Sequence, residues 1–359
     1  MVAQSSQMGA LRAGAAQVDI TPKMGTQIAG DIGRRRPAEM LVDPIFAKAL
    51  VLEEGDRRLC VLSLDLLAVT REWADRIRNG AKERFGIEPE NVMVHVVQNH
   101  AAPSLGHFFF NYESEYVTPD LWWLKGGDDD YHPFAVERTL EAIGRALEGM
   151  EPVRVGIATG VENRVAFNRR FVMRDGTSTT HVGAGELSKV LHVEGPIDPE
   201  VGVVSFTTES LRPVALLLHH TCHPTHGFPQ RYITAGWPGA WARGVEAEFG
   251  GETVAMVVNG CCGNVHHRDH LNPGAPDDPE TKGGMLTQTV RPLLKQLAYQ
   301  EAPSLDSASR IIPIPLRQVP PEQLEEARQL LAENPRPFWK PGLDGIAVHW
   351  DWVYAVMRL

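Results

Sequence analysis

The chain has 359 residues, 43% of them apolar and 22% charged, with 35 basic against 45 acidic side chains and a net charge of −10. This composition excludes a disordered, collagen-like or coiled-coil chain. An acidic chain with a pI near 5.8 is a poor partner for nucleic acid or an anionic membrane. No apolar run of roughly 18 residues marks a transmembrane helix, and Met1–Met8 lacks the basic-then-apolar pattern of a secretory signal.

In chain order, Ala47–Glu53 and Leu59–Leu64 read as strands joined by the turn Glu54-Gly55-Asp56. Residues 70–85 read as an amphipathic helix, and valine-rich Val92–Val97 as a third strand. Helices are predicted over Phe134–Glu148, Gly239–Phe249 and Met285–Gln300. Strands are predicted over Val153–Ala158, Val201–Thr207, Pro213–Leu218, Val254–Val258 and Ile311–Pro315, and a helix over Trp350–Met357. This mixture indicates an α/β fold, a mixed β-sheet core flanked by helices, as a single large domain over residues 1–359. No repeat with a period of roughly 20 to 50 residues is apparent.

Cys60, Cys222, Cys261 and Cys262 are the four cysteines, two of them adjacent. They make no disulfide framework and fit a reduced, cytoplasmic setting. The 14 histidines are less ordinary, because most fall in three short stretches: His95, His100, His107; His219, His220, His223, His226; and His266, His267, His270. Each stretch follows a predicted strand, and sites in α/β proteins gather at the carboxyl ends of strands. Imidazole is the commonest metal ligand and the neutral-pH proton carrier. A shared site explains the pattern; separate surface loops are the plain alternative.

Residues 101–131 and 264–282 read as long loops. The first holds Phe108, Phe109, Phe110, Tyr112, Tyr116, Trp122 and Trp123. These aromatics suit the wall of an apolar substrate pocket, or an excursion packed on the domain's own surface. The second, rich in Pro, Gly and Asp, is a solvated loop with no chemistry beyond its first residues.

Within these segments, Asp65 closes an apolar strand and either orients an imidazole or caps the next helix. Strand alternation in His219–His223 projects His219, Thr221 and His223 to one side and His220 and Cys222 to the other, so one metal ligand is expected there. The turn Gly260-Cys261-Cys262-Gly263-Asn264 offers close backbone approach to an oxyanion. Its cysteines suggest either a thiolate nucleophile or inert buried thiols. Arg169 offers a guanidinium fork for a carbonyl or anion, or is simply exposed.

Several segments together resemble the neutral/alkaline non-lysosomal ceramidase family. They are Val18-Asp19-Ile20-Thr21-Pro22, Asp43-Pro44 with Ala47–Leu52, Ser63-Leu64-Asp65, His100–Pro103, Asn168-Arg169, Asp198–Gly202, His223-Pro224-Thr225, Ile233–Gly239 and Gly260–Val265. The resemblance is collinear over nearly the whole chain. It implies a mixed α/β catalytic domain holding one zinc ion, which activates water against an amide. By resemblance, His223 is a zinc ligand, His100 a ligand or proton relay, His266 stands where the family has a catalytic serine, Arg169 contacts substrate, and Asn264 joins the catalytic group. Gln98 takes the place of the family's first zinc-binding histidine. The family's glutamate and tyrosine zinc ligands lie in a downstream segment that this sequence does not reach by Leu359, and its immunoglobulin-like domain is absent; either the chain is cut short, or the site is rebuilt from local histidines such as His100, His219 and His266, or the metal is lost.

The expectation is a ceramidase-like, zinc-dependent hydrolase of a small amide or ester substrate, compatible with an apolar chain, with no nucleic-acid partner. The alternative is a non-catalytic binding or scaffold protein with a degenerate metal site, favoured by Gln98.

Overall fold

Three antiparallel strands open the structure, a computed structural model that describes residues 10–110, 113–300, 303–341 and 346–359. Met1–Met8 and Tyr112 lie outside the described residues. The strands are β1 (Arg12–Asp19), β2 (Phe46–Glu54) and β3 (Arg57–Leu64), in the order β1-β2-β3. Helix α1 (Arg71–Phe85) then crosses over to β4 (Val92–Val96), which lies parallel to β3. The left-handed Gly86 ends α1, with its N–H on the carbonyls of Ala81 and Lys82. Helix α2 (Tyr131–Glu148) closes this half.

The second half repeats the order. β5 (Arg154–Val161), β6 (Glu200–Thr207) and β7 (Pro213–His220) form an antiparallel meander. Helix α3 (Gly236–Ala247) crosses over to β8 (Val254–Asn259), parallel to β7, and α4 (Pro279–Leu293) follows. Each half is therefore three strands, a helix, a parallel strand and a helix.

Alternation along the strands decides the layers. In β2, Ala47, Ala49 and Val51 pack with Ile77 and Ala81 of α1 and Leu140 and Ile143 of α2. Between them, Leu50 and Leu52 face the other way, against Phe206, Ala215 and Met256 of the second sheet. The far side of that sheet packs Leu216, Leu218, Ala255 and Val257 on Trp237, Trp241, Leu286 and Val290. The result is four layers, helix–sheet–sheet–helix, in a mixed α/β fold. Two polar links stitch the sheets: Lys48 Nζ donates to Ala255 O at 2.8 Å and Ser63 Oγ to Val257 O at 2.7 Å.

Several expectations are corrected. Residues 311–315 pair with no described strand, because Pro313 and Pro315 lack the N–H that a ladder needs. Ile311, Ile312, Ile314 and Leu316 are instead left in water at 69–92% exposure. Helix α4 starts six residues before the expected Met285, because Asp278 accepts a hydrogen bond from Thr281 N and Pro279 fits the first turn. Of the two readings of the aromatic excursion, its described aromatics follow the second: none of them lines the cleft described below. Phe110, Leu121 and Trp123 form a satellite core with α5 (Pro321–Glu333) and α6 (Trp350–Arg358). No helix among the described residues is long and apolar enough to cross a membrane.

Candidate active site

The carboxyl ends of β4, β7 and β8 meet at one edge of the sandwich, and Asn259 holds them there. Its side-chain N–H groups donate to Val97 O at 2.9 Å and Cys222 O at 3.0 Å, while its oxygen accepts Cys222 N–H at 3.1 Å. Beyond β4, Gln98 turns the backbone through a left-handed φ of 67°. The fully buried Asn99 then donates to Thr234 O at 2.7 Å. Beneath this turn the buried Arg36 donates to the carbonyls of Ala29, His100 and Gln230.

These ties bring His100 and His223 together from opposite sheets. Their Nε2 atoms stand 2.8 Å apart. Each ring's other nitrogen faces a backbone carbonyl: His100 Nδ1 on Gly30 O at 3.1 Å, and His223 Nδ1 on Cys262 O at 3.3 Å. A carbonyl only accepts, which favours a hydrogen on each Nδ1 and a lone pair on each Nε2; two such lone pairs 2.8 Å apart repel unless a cation draws them both. Burial, with further help from the neighbouring ring, holds His100 neutral down to about 3. Burial and then Arg169 do the same for His223 down to about 4. Two neutral imidazoles with backbone-fixed Nδ1–H groups and converging Nε2 lone pairs are metal-type donors. The pair fits zinc in kind and supplies two ligands. No third His, Cys, Asp or Glu among the described residues joins them at comparable range.

Beside the pair runs a chain of polar side chains. Asp277 Oδ1 accepts from His267 Nδ1 at 2.5 Å, and its Oδ2 accepts from Arg268 Nε at 2.9 Å. That fixes the His267 Nε2 lone pair on the Thr225 hydroxyl at 2.9 Å. Thr225 Oγ1 in turn accepts from His266 Nε2 at 2.7 Å, because His266 Nδ1 takes the Arg268 N–H at 2.9 Å. Burial, reinforced by His267 and His181, keeps His266 neutral. The run can pass a proton along hydrogen bonds that already exist.

Both groups open into a cleft of about 490 Å³ lined by Gly30, His100, Arg169, Thr225, Phe228 and His266, among others. Arg169 reaches it because Phe167–Asn168 pairs antiparallel with Val265–His266. Its Nε and Nη2 donate to Gly263 O at 3.1 and 2.6 Å, and Nη1 donates to His181 Nε2 at 3.0 Å.

No protein-family model and no curated protein matches the chain. Solved structures do. The neutral ceramidase from Pseudomonas aeruginosa superposes with a TM-score of 0.65 at 19% identity, over 80% of this chain and 45% of the ceramidase. A ceramidase complexed with C2 gives 0.62 at 19% identity, over 80% and 44%. The fold is that of a ceramidase. The chain spans less than half the length of either of these ceramidases.

On this ceramidase fold the expected residues divide into two sets. His100, His223, His266 and Arg169 gather at the cleft. Gln98 turns its oxygen away to accept the Cys262 thiol at 3.0 Å. Asn264 is exposed, and its backbone oxygen accepts Arg169 N–H at 2.9 Å. Asp65 neither caps α1 nor touches an imidazole. It is buried and accepts Phe46 N–H at 2.9 Å, while Thr70 takes the N-cap position. His219 and Thr221 both flank Gly260, where a Cβ would lie 2.1 Å from Thr221 Oγ1, so this glycine makes room for packing. Burial raises the Cys262 thiol, which favours the inert reading.

Thr225, Arg36 and Asp277 carry no chemical role in the sequence reading, whereas His267 belongs to one of its three histidine stretches. Asp277 is the sharpest correction, since residues 264–282 read there as solvated loop. Strand β7 ends at His220, which packs on Trp237 with centroids 6.1 Å apart, so Thr221–His223 follow as loop and the expected alternation does not extend to them.

Proposed function

We propose that the chain is a ceramidase-like, zinc-dependent hydrolase of an amide or ester bond. The observation that carries this reading is the pair of lone-pair-bearing Nε2 atoms on His100 and His223, 2.8 Å apart at the edge of an arginine-bearing cleft. His100 and His223 hold the ion. Zinc bound there would polarise the substrate carbonyl and sharpen a water into a nucleophile. Arg169 orients the carbonyl or a nearby anionic group, and Asn264 fixes the backbone that carries Arg169. His266 and Thr225 hold and move a proton at the leaving group, with His267 and Asp277 behind them. Phe228 gives the substrate an apolar flank. The whole chain acts as one catalytic unit. Its free cysteines, three of them buried, support a reducing, cytoplasmic compartment.

The test compares the parent with His100→Ala and His223→Ala. Bound zinc is measured by elemental analysis, and turnover on short N-acyl amides and aryl esters. Both variants are expected to lose the zinc equivalent held at the cleft and to lose turnover by a factor of about 100 or more. Unchanged zinc content and turnover in both would overturn the reading. The engagement of Gln98 by Cys262 favours a second reading, a binding protein that retains the fold. Turnover of any of these substrates that a chelator abolishes would exclude it.

A further inference from the structure

A second cluster of metal-type side chains stands outside the cleft, where the aromatic excursion meets the first turn of α2. His107, Asp129 and His132 each offer a ligand atom, and the three atoms lie within 4.8 Å of one another. His107 Nε2 is 3.1 Å from Asp129 Oδ1, and His132 Nδ1 is 3.7 Å from the same oxygen. The two rings stand 5.5 Å apart at 63°, so they converge on the carboxylate instead of stacking.

His132 supplies the second, independent observation. It is 1% exposed, and neither ring nitrogen has a hydrogen-bond partner. A buried polar atom left unpaired forfeits its hydration without compensation, so such a group calls for a partner. The fold nevertheless makes space for this ring. Trp73 covers it at 4.8 Å between centroids, and a Cβ on Gly127 would lie 2.9 Å from Nε2. The neighbouring carboxylates are already committed: Asp128 accepts from Gln27 N at 3.1 Å, and Asp130 pairs with Lys23 at 3.0 Å. Among the described residues Asp129 meets the two imidazoles alone, and its side chain is 80% exposed, which leaves room for water as a further ligand.

We infer that His107, Asp129 and His132 form a second cation site, distinct from the cleft, that takes a zinc-type divalent ion. Two imidazoles and one carboxylate suit such an ion and not calcium or magnesium, which take oxygen ligands. The ion would tie residue 107 of the excursion to the start of α2, a structural role away from the reacting groups. The other three-residue group, His226, His267 and Asp277, does not compete. Its rings stack at 3.6 Å and 19°, and both Asp277 oxygens are engaged.

Zinc titration by calorimetry tests this on full-length protein freed of any polyhistidine tag. The background is the double variant His100→Ala/His223→Ala, so that binding at the cleft does not mask the second site. One zinc equivalent is expected to remain, and Asp129→Asn or His107→Ala should weaken it about tenfold or more. His132 is buried and its replacement endangers folding, so the exposed Asp129 carries the decisive variant, with circular dichroism as the check. Absence of zinc binding in the double variant overturns the inference, as does binding that Asp129→Asn leaves unmoved. Zinc lost from the parent on His223→Ala alone reports on the cleft, so the two readings fail separately.

Discussion

Gly30 supports the imidazole pair from below. It adopts φ 92°, its carbonyl receives His100 Nδ1–H, and a Cβ there would lie 2.5 Å from that nitrogen. Gly30→Ala strains the left-handed backbone and displaces the ring at once. Zinc content and hydrolysis should fall together in this variant while the far-ultraviolet circular dichroism is unchanged. Asp65 gives a pH signature. Burial raises its carboxyl from 3.8 to about 6, against the pull of Lys48. The folded chain therefore holds this proton more tightly than the unfolded chain, and the associated stability is lost as the pH rises from 4 to 6. The displacement corresponds to about 3 kcal/mol. Asp65→Asn should gain on the parent through that window and hold a constant advantage above it, read from urea midpoints at a series of pH values.

Among the elements, α4 depends on a single capping contact, the Asp278 carboxylate on Thr281 N–H at 2.8 Å. Asp278→Ala should lower stability by about 1 kcal/mol in denaturant melts. This helix also shows where sequence reading stops. Its apolar period is visible, but the start is set by an aspartate and a proline inside a segment that otherwise reads as loop. Strand β1 escaped for the opposite reason. Arg12–Asp19 is alanine- and glycine-rich, with little intrinsic strand preference, and an eight-residue register with β2 makes it a strand. Residues 311–315 had the apolar content of a strand but not its hydrogen-bond donors. At the cleft, His100, His223 and His266 were legible because histidines recur just after apolar strands. Thr225 and Asp277 were not. Their role depends on tautomers set by neighbours such as the Arg268 N–H, and no spacing rule encodes those.

On the scale of the whole molecule, two halves of the same topology meet sheet to sheet, each with its own helices and core. The seam between them is largely apolar, and Lys48 and Ser63 cross it to fixed carbonyls. His100 belongs to one half and His223 to the other, with Asn259 joining their strand ends. An ion gripped by both rings is thus also a rivet through the sandwich. Ligand bound only by the native form adds about 2.7 kcal/mol when its free concentration is a hundred times its dissociation constant. The melting temperature should accordingly climb by several degrees with added zinc and drop back with chelator, and the climb should shrink in His100→Ala/His223→Ala. Loading the metal and fastening the two leaves would then be one event, and the demetallated protein would be a looser body.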